Sequence, residues 1–231
     1  MNKQIQSYPI ELVIPDAGPL ISLAHANALD LLLVFKDEVK VIVTDYVQFE
    51  VTRAAAIHKD AQHLQQFFRN NSERIEIAKT DIGDLYIDRY QRYQKYKNDA
   101  SYRDALDRLG EAPPKVPGDL GEASMLAFIG SMQAGGPSKP TMILAEDSLL
   151  LNRGMGFPNN AAIMSTLSFL ELLEREHMLT SAADIWSAIS GQRNVRDVRV
   201  NLQAASIPTD VSSSIDQDKV HDFDKKWKLG M

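Results

Sequence analysis

Short apolar runs alternate with amphipathic stretches along most of the chain. IELVIPD (10–16) precedes AGPLISLAHANALDLLLVF, in which Leu20, Leu23, Ala24 and Asn27 recur at helical spacing. VKVIVT (39–44) precedes DYVQFEVTRAAAIHK, where Asp45 and Gln48 have the spacing of a capping box. A further helix, DAQHLQQFFRNNSE, leads to RIEIAK (74–79), and PTMILAED (140–147) leads to SLLLNRG. The runs are brief, aliphatic or β-branched, and continuous rather than alternating, as in strands buried on both faces. Alternation of such strands with helices predicts an α/β fold, a parallel central sheet flanked by helices.

Two stretches depart from the pattern. Residues 81–118 carry a long polar helical pattern and then GEAPPKVPGD, whose three prolines end any helix. They read as a helical insertion before the core helix GDLGEASMLAFIGSMQ. After TLSFLELLEREHM and SAADIWSAIS the apolar periodicity fades, so an α/β domain over 1–190 is expected to give way to a polar tail over 191–231 that is flexible or ordered only against a partner. A sharper reading has the aspartates of that tail folding over an acidic pocket.

At 231 residues the chain is long enough to bury roughly 70% of its unfolded surface without staples. It has no cysteine, which excludes disulfides, thiolate zinc sites and a cysteine nucleophile. No apolar run approaches a membrane span and the first residues lack a signal-peptide core, so a cytoplasmic protein with no membrane contact is expected. The net charge of −6 argues against wholesale electrostatic binding of nucleic acid but leaves room for a local basic strip.

Ligands of open parallel sheets sit beyond the carboxyl ends of the strands, so acids there carry the most information. Asp16 ends the first run, and Glu146 and Asp147 end the fourth. Glu50 lies in the second turn of the helix leaving the second run, and Glu122 in the first turn of DLGEASML. Each also has a purely structural explanation: Asp16 and Asp147 as helix caps, Asp119 with Glu122 as a D-x-x-E capping box, Glu50 as a solvent-facing helix residue. Together, four carboxylates from four segments would repel one another unless cations sat between them. An all-oxygen set suits Mg²⁺ or Mn²⁺ better than zinc. The chemistry that follows is metal-assisted phosphodiester hydrolysis.

The pieces VIPDAGPLISLAHANALDLL, VIVTDYVQFEV, DLGEASMLAFI, TMILAEDSLLLNRG and STLSFLELLEREHML, in that order, resemble the PIN-domain nucleases over most of residues 10–190. The nearest likeness is to stand-alone bacterial members, which include the VapC-like ribonuclease toxins of toxin–antitoxin modules. The resemblance implies an acidic pocket holding Mg²⁺ or Mn²⁺, endonucleolytic cleavage of RNA, an antitoxin protein as partner and a homodimer. Asp16, Glu50, Glu122 and Asp147 match the family's acids as catalytic metal ligands; Glu146 and Asp119 sit beside matched positions, either as auxiliary ligands or, with the register shifted by one, as substitutes. The chain departs from the family where Ala145 and Glu146 stand before Asp147 in place of the frequent Ser or Thr. The insertion and tail have no counterpart in the compact toxins. A second reading makes the chain a catalytically silent protein of the same fold that binds a partner through the insertion and tail.

The insertion holds Tyr86, Tyr90, Tyr93, Tyr96 and Tyr102. On a helix the first three share one face, with Arg92 and Lys95 opposite. Rings and basic groups together grip single-stranded RNA, whereas amphipathic packing against the core produces the same pattern without RNA. The five histidines show no ligand spacing, and no phosphate-binding glycine loop occurs.

Overall fold

The structure is a computed structural model that describes residues 8–110, 119–135, 139–146, 160–192, 201–203 and 209–230, together with Phe157 and Arg199. In chain order its elements are β1 (Tyr8–Pro9), β2 (Leu12–Pro15), α1 (Ala17–His25), a 3-10 turn at Leu29–Leu33, β3 (Lys40–Thr44), α2 (Asp45–Thr52), α3 (Lys59–Asn70), β4 (Ile75–Ala78), α4 (Asp81–Tyr96) and α5 (Ala100–Leu109). There follow α6 (Leu120–Ala134), β5 (Thr141–Leu144), β6 (Ala161–Met164), α7 (Thr166–Arg175), α8 (Ala182–Gln192), β7 (Asn201–Gln203), β8 (Thr209–Asp210), a 3-10 turn at Ser212–Ser214 and α9 (Gln217–Lys228).

The main sheet has the order β4-β3-β2-β5-β6-β7, its first five strands parallel and β7 antiparallel on the edge. The expected α/β architecture is therefore present. β2, β5 and β6 are buried at every residue, which explains their continuous apolar sequences. β4 exposes Glu76 on the edge it shares with solvent. The main core contains the stacked rings of Phe35 and Phe169, while a smaller cluster of Leu12, Ile42 and Ala78 lies under Phe128 and Met132 of α6. The chain steps outward from β2 to β3 and β4, then returns to the other side of β2 as β5. That reversal makes the carboxyl ends of β2 and β5 the switch point, where such sheets open a crevice. Among the described residues, no helix is long and apolar enough to cross a membrane.

The expected capping box at Asp45 is replaced by another device. Thr44 is the cap of α2, accepting from the Val47 amide at 3.5 Å. The buried Asp45 carboxylate instead accepts the Thr80 hydroxyl at 2.8 Å and the Thr80 amide at 3.3 Å, and Thr80 caps α4 through the Gly83 amide. A Cβ on Gly83 would stand 2.2 Å from that carboxylate. Gly83→Ala should therefore destabilise by about 1–3 kcal/mol, read as a lower urea midpoint; an unchanged midpoint would contradict the packing of α4 on α2.

The insertion is helical, as expected, forming α4 and α5; its proline run at 111–118 lies outside the described residues. Tyr90 packs edge-on to Phe49 with ring centres 5.3 Å apart, so packing accounts for this ring. Arg92 pairs with Asp88 on the same helix, and Lys95 lies over the Tyr96 ring.

The tail expectation is corrected. Residues 209–230 fold onto the domain: β8 pairs with β1, and α9 buries Val220 and Phe223. The Ile10 amide donates to Ser214 Oγ at 2.7 Å, the Asp216 amide to the Val34 carbonyl at 2.8 Å, and the Trp227 indole to the Ala26 carbonyl at 2.8 Å. Val220, Phe223 and Trp227 form a narrow stripe at helical spacing within a helix otherwise rich in Asp and Lys. Ile10 precedes β2, Phe35 precedes β3 and Ala26 follows α1, so this segment covers the amino-terminal edge of the sheet. It does not fold over the edge where the acids lie.

Candidate metal centre

Asp16 stands at the switch point. Its amide donates to the carbonyl of Leu144, the last residue of β5, at 2.9 Å. It occupies the cap position of α1 without a side-chain cap hydrogen bond and is 9% exposed. Helix capping thus does not explain this aspartate. Across from it, two residues beyond β5, Glu146 receives the Ser22 hydroxyl on Oε2 at 3.0 Å and the Thr166 hydroxyl on Oε1 at 2.6 Å. Asp147 lies outside the described residues.

The other two matched acids flank the end of β3. Thr44 Oγ1 and Ser124 Oγ are 2.6 Å apart, and Ser124 donates to the Gly121 carbonyl at 2.7 Å, which ties the start of α6 to the end of β3. Glu122, in that first turn, is 7% exposed. Half-buried Glu50 lies against the same turn, its Oε2 2.5 Å from where a Cβ on Gly121 would be. Glycine at 121 is what lets this carboxylate approach. Asp119 holds the cap position of α6 with φ of 67° and makes no side-chain cap hydrogen bond, so the expected Asp119–Glu122 capping box is not formed.

Burial pushes the Glu50 carboxyl above its usual range, with Asp119 adding to the rise and Arg53 opposing it. Burial also raises the Tyr46 hydroxyl, and the charge of Glu50 adds to it. For Glu50 the stability contribution is present below the ordinary carboxylate range and is lost as pH rises through the raised value. Glu50→Gln should therefore melt higher than the parent at pH 7 without added metal, with the difference vanishing near pH 4. Melting curves across that interval check the sign; a Gln variant less stable at pH 7 would contradict it.

The acids thus form two groups on one edge, Asp16 with Glu146 and Glu50 with Asp119 and Glu122. Adjacent strands lie about 4.8 Å apart, so the ends of β3 and β5 are about 10 Å apart across β2. Among the described residues, no three acids stand close enough together to chelate an ion as placed. The donor set nevertheless fits a hard cation in kind. It is all oxygen, and Glu50 carries a like-charge burden from Asp119 that a cation would relieve. Ser22, Thr166 and Ser124 escaped sequence reasoning; the available signal was a small hydroxyl residue set among apolar helix positions. No family profile matches the sequence, and no curated protein or solved structure matches it.

Proposed function

We propose that this protein is a Mg²⁺- or Mn²⁺-dependent endoribonuclease of the PIN type, with Asp16, Glu50, Glu122 and Asp147 as its metal ligands. The observation that carries the reading is the position of Asp16, hydrogen-bonded through its backbone to the end of β5 at the switch point, with Glu50 of α2 and Glu122 of α6 beside the end of the neighbouring β3. The parallel sheet and the order of the five resembling segments support it.

A divalent ion, when bound, supplies charge neutralisation for the phosphodiester and acidifies an attacking water. The chain's own acids hold the charge that recruits the ion and take up protons through solvent, so no side-chain nucleophile is required. The protein then acts in the cytoplasm as the toxin of a toxin–antitoxin module, as a homodimer held in check by an antitoxin protein.

The test is cleavage of a mixed single-stranded RNA panel, and of DNA of the same sequences, with Mn²⁺ or with chelator. The reading expects RNA cut only with metal, and a melting temperature raised by Mn²⁺, since binding at 100 times Kd adds about 2.7 kcal/mol. No cleavage and no shift would overturn it in favour of a silent interaction protein. DNA cut in preference to RNA would overturn the substrate. Co-purification with the product of an adjacent small gene tests the toxin assignment, and sedimentation tests the dimer.

A further inference from the structure

The α4–α5 hairpin carries an apolar groove on its outer side. α4 packs on α2 through Gly83 and Tyr90 and turns Leu85, Asp88, Arg89 and Arg92, spaced as one helix face, toward the groove. α5 lines the other wall with Tyr102, Ala105, Leu106 and Leu109, at the same spacing. The groove is open to solvent: Leu85 is 61% and Leu109 71% exposed. Among the described residues, α5 buries none of its own. Its ends are fixed by Asp99, which accepts from the Ser101 and Tyr102 amides, and by the left-handed Gly110. A ten-residue helix with sound caps but no buried face is marginal, and burial of its apolar stripe supplies what the caps do not.

The charges of α4 point to the occupant. Asp81, Asp84 and Asp88 stand in its first half and Arg89, Arg92 and Lys95 in its second, with no base in the one and no acid in the other. The helix dipole favours that order only within the end turns, and Asp88, Arg89 and Arg92 lie between them. The sign changes between 88 and 89, which is also the midpoint of the groove-lining face. A second copy of α4, laid antiparallel across a two-fold axis at that midpoint, sets Asp88 of each copy against Arg89 of the other and each acidic half against a basic half. The Asp88–Arg92 pair within the helix is exposed and worth little, so it does not compete with such a contact. Over residues 81–110 six acids balance six bases, which leaves no excess charge to hold a phosphate chain, and the mostly aliphatic groove gives bases little to stack on.

We propose that two copies of this chain pair through the α4–α5 groove, the hairpins meeting antiparallel so that Leu85, Leu106 and Leu109 of both are buried between matched charged rims. The inference rests on the proposed function only for the homodimer, whose surface it names. That surface lies wholly in the insertion before α6.

The experiment is sedimentation equilibrium of the full chain, without metal or RNA, for the parent, L85D/L109D, D88R, R89D and D88R/R89D. The parent should be a dimer and L85D/L109D a monomer. D88R and R89D each set two like-charge pairs across the axis and should weaken the dimer at least about tenfold, while D88R/R89D restores both pairs and should return to within about threefold of the parent. A dimer that L85D/L109D leaves intact overturns this surface and leaves the homodimer standing on another. If L85D/L109D does not fold by circular dichroism, the charge series decides: a double variant no tighter than the single ones overturns the antiparallel pairing. RNA retained on a filter by a monomeric parent and lost in L85D/L109D would overturn the proposal in favour of a nucleic-acid groove. A parent that stays monomeric overturns the homodimer and this inference with it, whereas the nuclease reading stands or falls on the cleavage assay.

Discussion

Asp16→Asn should lose RNA cleavage by at least about 100-fold, equivalent to about 2.7 kcal/mol of barrier, while melting no lower than the parent. Asparagine has the shape of aspartate and serves equally well at a helix cap. The Asp16 side chain makes no cap hydrogen bond, and the substitution keeps the bond from its backbone amide to Leu144. The substitution removes the charge at a buried position on the acidic edge. Single-turnover cleavage with Mn²⁺ and thermal unfolding by circular dichroism measure the two halves. Undiminished cleavage, with contaminating nuclease excluded, would defeat the assignment of Asp16.

The opposite dissociation is expected at the other edge of the sheet. Phe223 is buried on α9, which docks at the amino-terminal ends of the strands through Val220, Trp227 and the Lys219 contacts to Phe35 and Asp37. Phe223→Ala should destabilise by about 3 kcal/mol. For a chain of this size that lowers the melting temperature by roughly 6–12 °C. Mn²⁺ affinity should be unchanged at temperatures where the variant is folded, since Asp16, Glu50 and Glu122 lie at the far ends of the strands. Parental melting would contradict the docking of the carboxy-terminal segment. Weakened Mn²⁺ affinity would contradict the separation of the two edges.

The parallel strands were legible because burial on both faces leaves little but aliphatic residues, as in Leu12–Pro15 and Thr141–Leu144. β6 was not, because Ala161–Met164 begins with two alanines that carry little strand signal. The strand order was also hidden, since pairing depends on long-range contacts that local pattern does not record. At the site, the edge positions of Asp16, Glu50 and Glu122 follow from strand ends and helix starts, which is why the sequence located them. The cap geometry was misjudged at Asp45 and Asp119 because capping spacing is satisfied equally by a carboxylate that turns toward another segment. Asp45 turns to Thr80, and Asp119 adopts a left-handed backbone without capping at all. The carboxy-terminal helix escaped notice because three apolar residues at positions 220, 223 and 227 barely lift the mean hydropathy of so charged a stretch.

A Mn²⁺-soaked crystal examined by anomalous scattering tests the central claim most directly. The account predicts a peak within about 2–2.5 Å of the Asp16 carboxylate and shared with Glu50, Glu122 or Asp147, the side chains having closed around it. Density confined to other parts of the surface, with those four acids turned away from one another, would contradict it.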